Sequence, residues 1–194
     1  MNYLAHFYLT RGREEITAGN FIADFVRSSQ QHQFTATVNE GIRIHRSIDK
    51  FTDEHLIVHQ SKQRLRGKYH KYATVIVDVY YDHFLAAHWK KFSNMPLEKF
   101  SADTYSLLRK QQHIFPEKAR HIFHYMSLHN WLLSYAEHEG INRALHGLSR
   151  RARFNSGMEN AVEDLKKYYA EFEKEFMEFF PELETHVKPL LIQR

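Results

Sequence analysis

Residues 75–89, VIVDVYYDHFLAAHW, are apolar enough to form the core of a domain, yet they carry two aspartates and two histidines. Read as a helix, the stretch places Asp78 and Asp82 four residues apart, so both lie on one face. That face also includes Val75 and Trp89, which predicts that it is buried. A buried carboxylate costs several kcal/mol unless it is paired, protonated or bound to a metal. The stretch therefore predicts a buried helix whose acidic residues need a partner.

The composition is that of an ordinary globular protein and favours helices. The chain has 194 residues, of which 43% are hydrophobic and 26% charged, enough for one well-filled domain. Only seven glycines and four prolines occur, which disfavours a turn-rich β-sandwich. No apolar run approaches the roughly 18 residues of a membrane span, and the start has no basic segment typical of a signal peptide. Cysteine is absent, which excludes disulfides and thiolate chemistry, and the expected location is the cytoplasm.

The pattern of apolar residues and capping signals predicts helices along the whole chain. The clearest amphipathic pattern runs from Val162 to Phe179, with aromatic and aliphatic residues at steps of three and four. We expect Pro181 to end that helix. The sequence thus predicts an all-α fold in which residues 1–194 form a single-domain helical bundle. The other predicted helices cover about 17–28, 37–51, 52–67, the quoted stretch to 89, 96–113, 116–135 and 142–151.

Acidic and imidazole side chains interrupt several of these apolar segments. Each of them alone is most simply a structural ion pair or a hydrogen-bonded core histidine, and His6 in NYLAHFYL is interpreted in that way. As a set they come from three separate helices, and a bundle can bring such residues to one interior point. Imidazole and carboxylate together suit Mn²⁺, Mg²⁺, Fe²⁺ or Zn²⁺. The predicted set is Asp24, His45, Asp49, Asp78, Asp82 and His83.

A basic segment, KQRLRGKYHK, directly precedes the quoted helix. It contributes to a formal net charge of +4 and a pI near 9.2. Such a segment is either a solvated face or a docking surface for an acidic macromolecule or a phosphate group. A second basic cluster follows in GLSRRAR. The residues of the two clusters are Lys62, Arg64, Arg66, Lys68 and Lys71 in the first, and Arg150, Arg151 and Arg153 in the second.

Four motifs, in this order, resemble the acyl carrier protein phosphodiesterase family. They are NYLAHFYL, AGNFIADFVR, GIRIHRSIDKFTD and DVYYDHFLAAHW, with a fainter match in NWLLSYAE and GLSRRAR. The resemblance implies hydrolysis of the phosphodiester that links 4′-phosphopantetheine to a serine of holo acyl carrier protein. It also implies dependence on a divalent metal, typically Mn²⁺, and an all-helical fold like that of HD-domain phosphohydrolases. The adjacent pair here, Asp82-His83, has the order opposite to the His-Asp pair that names those proteins.

For such a reaction we expect a metal to be bound by Asp24, His45, Asp82 and His83. Asp78 and Asp49 are expected to be further ligands, or to orient the histidines and the attacking water. Arg46 is expected to brace the charge of the phosphate.

The partner implied by the resemblance is the acidic holo carrier protein, docked on the basic face around Lys62 to Lys71, and no nucleic acid is expected. Two other functions remain open at this stage. One is a metal-dependent phosphohydrolase acting on a different substrate, such as a nucleotide. The other is a non-enzymatic helical protein that binds an acidic partner.

Overall fold

The computed structural model describes residues 1–191, and within this range the secondary structure is helical, with no strand. The prediction of an all-α fold is therefore confirmed. Short 3₁₀ turns connect several of the helices. The helices are α1 (Tyr3–Leu9), α2 (Glu14–Ile22), α3 (Ala36–Glu54), α4 (Leu56–Tyr69), α5 (Ala73–Ala87), α6 (Trp89–Phe92), α7 (Leu97–Lys110), α8 (Glu117–Leu128), α9 (Trp131–Ser134), α10 (His138–Arg151), α11 (Ala161–Lys167) and α12 (Tyr169–Val187).

Helix α5, which contains most of the quoted stretch, lies at the centre of the bundle. It packs against α1, α4, α10 and α12. Its side chains are buried on all sides, including Tyr80, Tyr81 and Phe84, each of which is fully inaccessible to solvent. A helix that is apolar around its whole circumference belongs in a core, so this position follows from the sequence. None of the helices in residues 1–191 combines the length and the hydrophobicity needed to cross a membrane.

Helices α2 and α3 pack backbone to backbone through two glycines. A Cβ atom on Gly19 would lie 2.0 Å from the carbonyl oxygen of Val38, and one on Gly41 would lie 2.1 Å from that of Ile16. Both glycines have ordinary helical conformations, so they are required by this close approach and not by a turn. The contact fixes α2, which carries Asn20, against α3, which carries His45 and Asp49.

Several helix ends differ from the predicted ones. For example, α2 spans Glu14–Ile22 where a helix over 17–28 is predicted, and the amphipathic stretch is divided at Tyr168 into α11 and α12. The sequence predicts a break at Thr52, but α3 continues to Glu54 and the cap of α4 is His55, whose Nδ1 accepts a hydrogen bond from the backbone N–H of Ile57 at 3.3 Å. The single helix predicted over 116–135 is interrupted at Asn130, which has a left-handed backbone (φ 45°). Asparagine tolerates that conformation better than most residues, so it can separate α8 from α9.

The prediction that Pro181 ends the last amphipathic helix is wrong, because α12 continues to Val187. Proline removes one backbone donor and disfavours a helix interior. The side chains on either side of it, Phe179, Phe180 and Leu183, are fully buried in the core. Their burial holds both halves of α12 in one helix, so tertiary packing outweighs the local preference.

Candidate metal centre

Three potential metal ligands from α1 and α3 converge at one point. His6, His45 and Asp49 each offer a ligand atom, and these atoms all lie within 4.8 Å of one another. Both imidazole rings are buried, and they stack with their centroids 4.1 Å apart. The Asp49 side chain is 39% exposed, so the cluster is reached from solvent on the carboxylate side. Two imidazoles with one carboxylate suit Mn²⁺, Fe²⁺ or Zn²⁺.

His45 makes hydrogen bonds through both of its ring nitrogens. Its Nε2 lies 3.0 Å from Asp49 Oδ2 and 3.2 Å from Asp24 Oδ1, while its Nδ1 donates to Asn20 Oδ1 at 3.0 Å. Burial alone would lower its pKa, but the hydrogen bonds to Asp24 and Asp49 raise the pKa to about 9. The hydrogen bond from His45 in turn holds the pKa of Asp24 below its usual range. A cation replacing the Nε2 proton would be met by the same carboxylates.

The surroundings of His6 lower its pKa, whereas those of His45 raise its pKa, and one ring nitrogen of His6 has no hydrogen-bond partner. Burial, together with the nearby charge of His45, lowers the pKa of His6 to about 4, so its ring is neutral at pH 7. Its Nε2 lies 3.1 Å from Asp49 Oδ1. Its Nδ1 and the Nδ2 of Asn20 are buried without a hydrogen-bond partner. Unpartnered polar atoms are rare in protein interiors. The neutral His6 ring and the Asp49 carboxylate offer lone pairs that fit a cation, whereas Asn20 Nδ2 carries hydrogens and can only donate to an acceptor.

Asp78 faces the same cluster from α5. Its Oδ1 lies 3.2 Å from the amine of Met1, the first residue of this chain, and that amine is also 3.4 Å from Asp49 Oδ1. Burial raises the pKa of Asp78, although the amine opposes the shift. Burial would lower the pKa of the amine, but Asp78 and Asp49 outweigh it and raise the pKa to about 10. Asp78 is therefore a carboxylate with a raised proton affinity beside the metal ligands.

A cavity of about 200 Å³ opens onto this cluster, and we call it the site cavity. His6, Asn20, Asp24, His45 and Asp78 all line it. The sequence pattern indicates no role for Asn20 and predicts a core histidine at position 6. A lone histidine in an apolar segment gives no indication that it faces another histidine 39 positions along the chain. Tyr3, Leu148 and Arg151 line the other side of the cavity.

The structure does not bring Asp82 and His83 to this cluster. Asp82 is fully buried, and its two oxygens accept the backbone N–H groups of Leu4 at 2.7 Å and Ala5 at 3.0 Å. It thus caps the first turn of α1, the helix that carries His6. Burial raises the pKa of Asp82 to about 7, against the opposing effect of these two N–H groups. Asp82 satisfies backbone donors in the interior, which accounts for its position without a metal.

His83 points away from the cluster into a separate buried environment. Its Nδ1 donates to the carbonyl oxygen of Tyr135 at 2.8 Å, and its Nε2 lies 3.1 Å from the hydroxyl of Tyr169. A neutral imidazole satisfies both contacts, since one nitrogen donates and the other accepts. Burial lowers the pKa of His83 to about 4.

We expect His83 to make the fold sensitive to acid. The unfolded chain takes up a proton on this ring near pH 6.5, whereas the folded protein does so only near pH 4, so the free energy of unfolding falls as the pH is lowered through this window. The loss at pH 4 is about 3 kcal/mol at most, at 1.36 kcal/mol per pKa unit. Urea denaturation between pH 4 and 7 should show a smaller decrease for His83→Gln than for the wild type. Equal decreases would contradict this assignment.

Arg46 lies outside the site cavity. Its side chain is on the exposed face of α3, where its guanidinium lies 2.8 and 2.9 Å from the amide oxygen of Gln31 when that amide is turned toward it. Among the arginines of residues 1–191, the one that lines the site cavity is Arg151.

The predicted basic face is partly neutralised by internal ion pairs. Arg64 forms a two-pronged contact with the buried Glu175, with both N–O distances at 2.7 Å. Lys62 pairs with Asp53 at 2.8 Å, and Lys68 pairs with Asp164 at 2.7 Å. These three side chains therefore stabilise the fold. The remaining two cations of the predicted face, Arg66 and Lys71, line a shallow cavity of about 440 Å³ together with Lys62, His59 and His70.

Comparison with known proteins finds one family that the sequence of this chain matches. The family model described as acyl carrier protein phosphodiesterase matches residues 1–183. A Photorhabdus laumondii protein of that name is 33% identical over 93% of this chain and 92% of its own length. One from Enterobacter sp. (strain 638) is 33% identical over 97% and 98%, and one from Escherichia coli O157:H7 is 32% identical over 94% and 95%. No solved structure matches the chain.

Proposed function

Because this chain belongs to the acyl carrier protein phosphodiesterase family, we propose that it removes the 4′-phosphopantetheine arm from holo acyl carrier protein. The reaction adds water across the phosphodiester, releasing 4′-phosphopantetheine and the free serine of the apo carrier protein. The observation that carries the proposal is the convergence of His6, His45 and Asp49 at one point, with the two histidines and Asp78 lining one cavity. Residues 1–194 would form one catalytic domain. The relation to HD-domain phosphohydrolases stays a prediction.

We propose that one divalent cation, Mn²⁺ first among the candidates, is held by His6, His45 and Asp49. Such a cation supplies Lewis-acid stabilisation of the phosphate and lowers the pKa of water. Asn20 accepts from the Nδ1 of His45 and would orient that ring, while Asp24, which contacts the Nε2 that the cation would take, would face the cation as a further carboxylate. Of the ligands expected from the sequence, His45 is kept, and Asp24, Asp82 and His83 give way to His6 and Asp49, which converge with His45. Asp82 and His83 are satisfied elsewhere.

Asp78 is the proposed proton acceptor for the attacking water. Its carboxylate lines the site cavity, and burial raises its pKa, which increases its affinity for a proton. As water attacks phosphorus, a proton passes to the Asp78 carboxylate and the bond between phosphorus and the serine oxygen breaks. The leaving serine takes up a proton and is released as the alcohol.

Incubation of the purified protein with holo acyl carrier protein and Mn²⁺, followed by mass spectrometry of the carrier, tests the activity directly. The expected result is loss of the complete phosphopantetheine arm and appearance of the apo carrier. A carrier that keeps its arm in the presence of Mn²⁺, Mg²⁺, Fe²⁺ and Zn²⁺ would refute the proposed function.

We propose that the acidic carrier docks on the surface around Arg66 and Lys71, the two cations of the basic face without an internal acidic partner among the described residues. Thr74 lines the cavity beside them, and the next residue, Val75, lines the site cavity. A carrier bound here would contact the start of α5, the helix that carries Asp78 into the site cavity.

The double variant Arg66→Glu with Lys71→Glu should raise the KM for the holo carrier, because charge reversal slows association. We expect KM to increase roughly tenfold at low salt. Association rates vary over about one to three decades among variants of one interface, and this change is at the lower end of that range. The salt dependence of KM should flatten as well. Lys90→Glu with Lys91→Glu on α6 makes the same change in net charge elsewhere on the surface and is the matched control. Identical KM values for both double variants would exclude this docking surface.

A further inference from the structure

A second and larger cavity adjoins the site cavity, and we call it the arm cavity. It has a volume of about 720 Å³. The two cavities adjoin at one junction, where four residues line both of them: Asn2, Tyr3, Leu148 and Arg151. On the basis of the proposed function, we propose that the arm cavity binds the pantetheine arm of the substrate, with Arg151 contacting the phosphate at the junction.

One face of α10 forms the main wall of the arm cavity. Gly140, Ala144, Gly147 and Arg151 follow one another at steps of four, three and four, which places them along one face of the helix, and the other lining residues of α10 flank this face. Ala144 and Gly147 lie at the middle of that face, and their small size leaves the space open. A Cβ atom on Gly147 would meet no other atom within 4 Å. The cavity therefore exists because of which side chains α10 carries on this face.

The chemistry of the lining fits a pantetheine group. That group combines a branched aliphatic segment with two amides and a terminal thiol, so it needs apolar contacts and a few hydrogen-bonding partners. Tyr3, Trp131 and Leu148 supply apolar and aromatic surface, while Asn2 and Ser134 supply polar atoms. Sites for small molecules commonly have volumes of about 300–1,000 Å³ and this mixture of lining groups.

Arg151 lies where the phosphate would be. It is exposed and forms no ion pair among the described residues, and its Nε donates to the carbonyl oxygen of Gly147 at 3.2 Å. The other nitrogens of the guanidinium can therefore reach an anion. Tyr3 is close enough to be influenced by both Asp24 and Arg151, which have opposite effects on its pKa. The junction thus has the metal ligands on one side and a cation on the other, which suits a bridging phosphodiester.

The carrier and its arm would then approach the metal from two sides. The site cavity has α5 on one wall, through Val75 and Asp78, and α10 on the other, through Leu148 and Arg151. The proposed docking surface adjoins the α5 wall, and the arm cavity adjoins the α10 wall. A substrate laid across both would place its serine–phosphate bond between them.

Filling the arm cavity tests its role. We expect Gly147→Leu to lower kcat/KM for the holo carrier at least tenfold relative to kcat/KM for bis(p-nitrophenyl) phosphate, a phosphodiester without an arm. The matched control is Ala102→Leu, which places the same side chain on the exposed face of α7 at a position that lines neither cavity nor the docking surface. Gly147→Leu favours the helix and Ala102→Leu nearly conserves helix propensity, so loss of folding is not expected. The expected tenfold change corresponds to about 1.4 kcal/mol of lost binding. If the ratio of the two kcat/KM values for Gly147→Leu stayed within about twofold of the wild-type ratio, the proposal would be overturned.

A binding measurement separates this inference from the proposed function. Pantetheine and 4′-phosphopantetheine are titrated against wild-type protein, with Trp131 fluorescence as the signal and Trp131→Phe as the blank. Saturable binding that Gly147→Leu weakens supports the arm cavity even if the holo carrier is not hydrolysed. Absence of saturable binding, or equal binding by Gly147→Leu, overturns it even if hydrolysis occurs.

The role of Arg151 has its own signature. Arg151→Gln should weaken binding of 4′-phosphopantetheine roughly tenfold and leave binding of pantetheine unchanged, because only the first ligand carries phosphate. Arg151→Lys should restore part of the affinity. Arg150→Gln is the control, since Arg150 lines the arm cavity but not the junction. Equal loss for both ligands, or no loss for either, would exclude a phosphate contact.

Discussion

Asp49→Asn is expected to lose the bound divalent cation and to lower kcat/KM for the holo carrier by more than about 100-fold. Removing a residue that only hydrogen-bonds to a metal ligand typically costs about 10–100-fold, so removing a ligand should cost more. Asp49 bridges the two histidines, with Oδ1 3.1 Å from His6 and Oδ2 3.0 Å from His45. The amide removes the negative charge that a cation needs, while its shape remains nearly the same. Metal content by mass spectrometry and steady-state kinetics measure the two losses.

The control for this variant lies one turn along the same helix. Asp53 is exposed and paired with Lys62, so Asp53→Asn makes the same chemical change outside the cluster. It should bind metal as the wild type does. If Asp49 served only in a structural ion network, Asp49→Asn would lower the melting temperature while metal content and activity per folded molecule stayed constant. That result would contradict the proposed metal centre.

Asp82→Ala is expected to destabilise the protein by about 3 kcal/mol or more, because each hydrogen bond to a charged group contributes about 1.5–3 kcal/mol. The substitution leaves the buried N–H groups of Leu4 and Ala5 without an acceptor. Asp82→Asn keeps one acceptor oxygen and should lose less stability than the alanine variant. Urea denaturation of the two variants and the wild type measures the difference.

The same variants distinguish the capping role from the ligand role predicted from the sequence. As a cap, Asp82 affects the metal only through the fold, so the folded fraction of Asp82→Asn should still bind metal. If Asp82 were a ligand, Asp82→Asn would lose the metal even though the stability of the protein was unchanged. Loss of metal from a fully folded, undestabilised Asp82→Asn would support the interpretation from sequence and contradict the structural one.

The sequence predicted the face of α5 but not the partners of that face. Asp78 and Asp82 do share one side, which is turned toward the N-terminal segment, as their spacing requires. His83 cannot join them, since adjacent helical residues point about 100° apart. The partners of Asp82 are backbone N–H groups, which every residue except proline carries, so no pattern of residue types indicates them.

The cluster itself was only partly predictable. His45 and Asp49 are four apart on α3, and this spacing correctly places them together. His6 was interpreted as a core histidine, because its partner depends on how α1 packs against α3. The continuation of α12 through Pro181 depends in the same way on contacts distant in sequence. Local patterns indicate the faces of helices, whereas the groups that meet across them are set by packing.

The glycine contact between α2 and α3 has a consequence for the entropy of binding. Where Gly19 and Gly41 let two backbones touch, no intervening side chain can change rotamer and alter the spacing of the helices. Asn20 lies one residue beyond the first glycine, and His45 lies four beyond the second. The hydrogen bond between them is therefore held by main chain on both sides, and the His45 ring is oriented before any ion arrives. An ion entering such a site loses little affinity to ordering its ligands, which is the advantage of preorganisation.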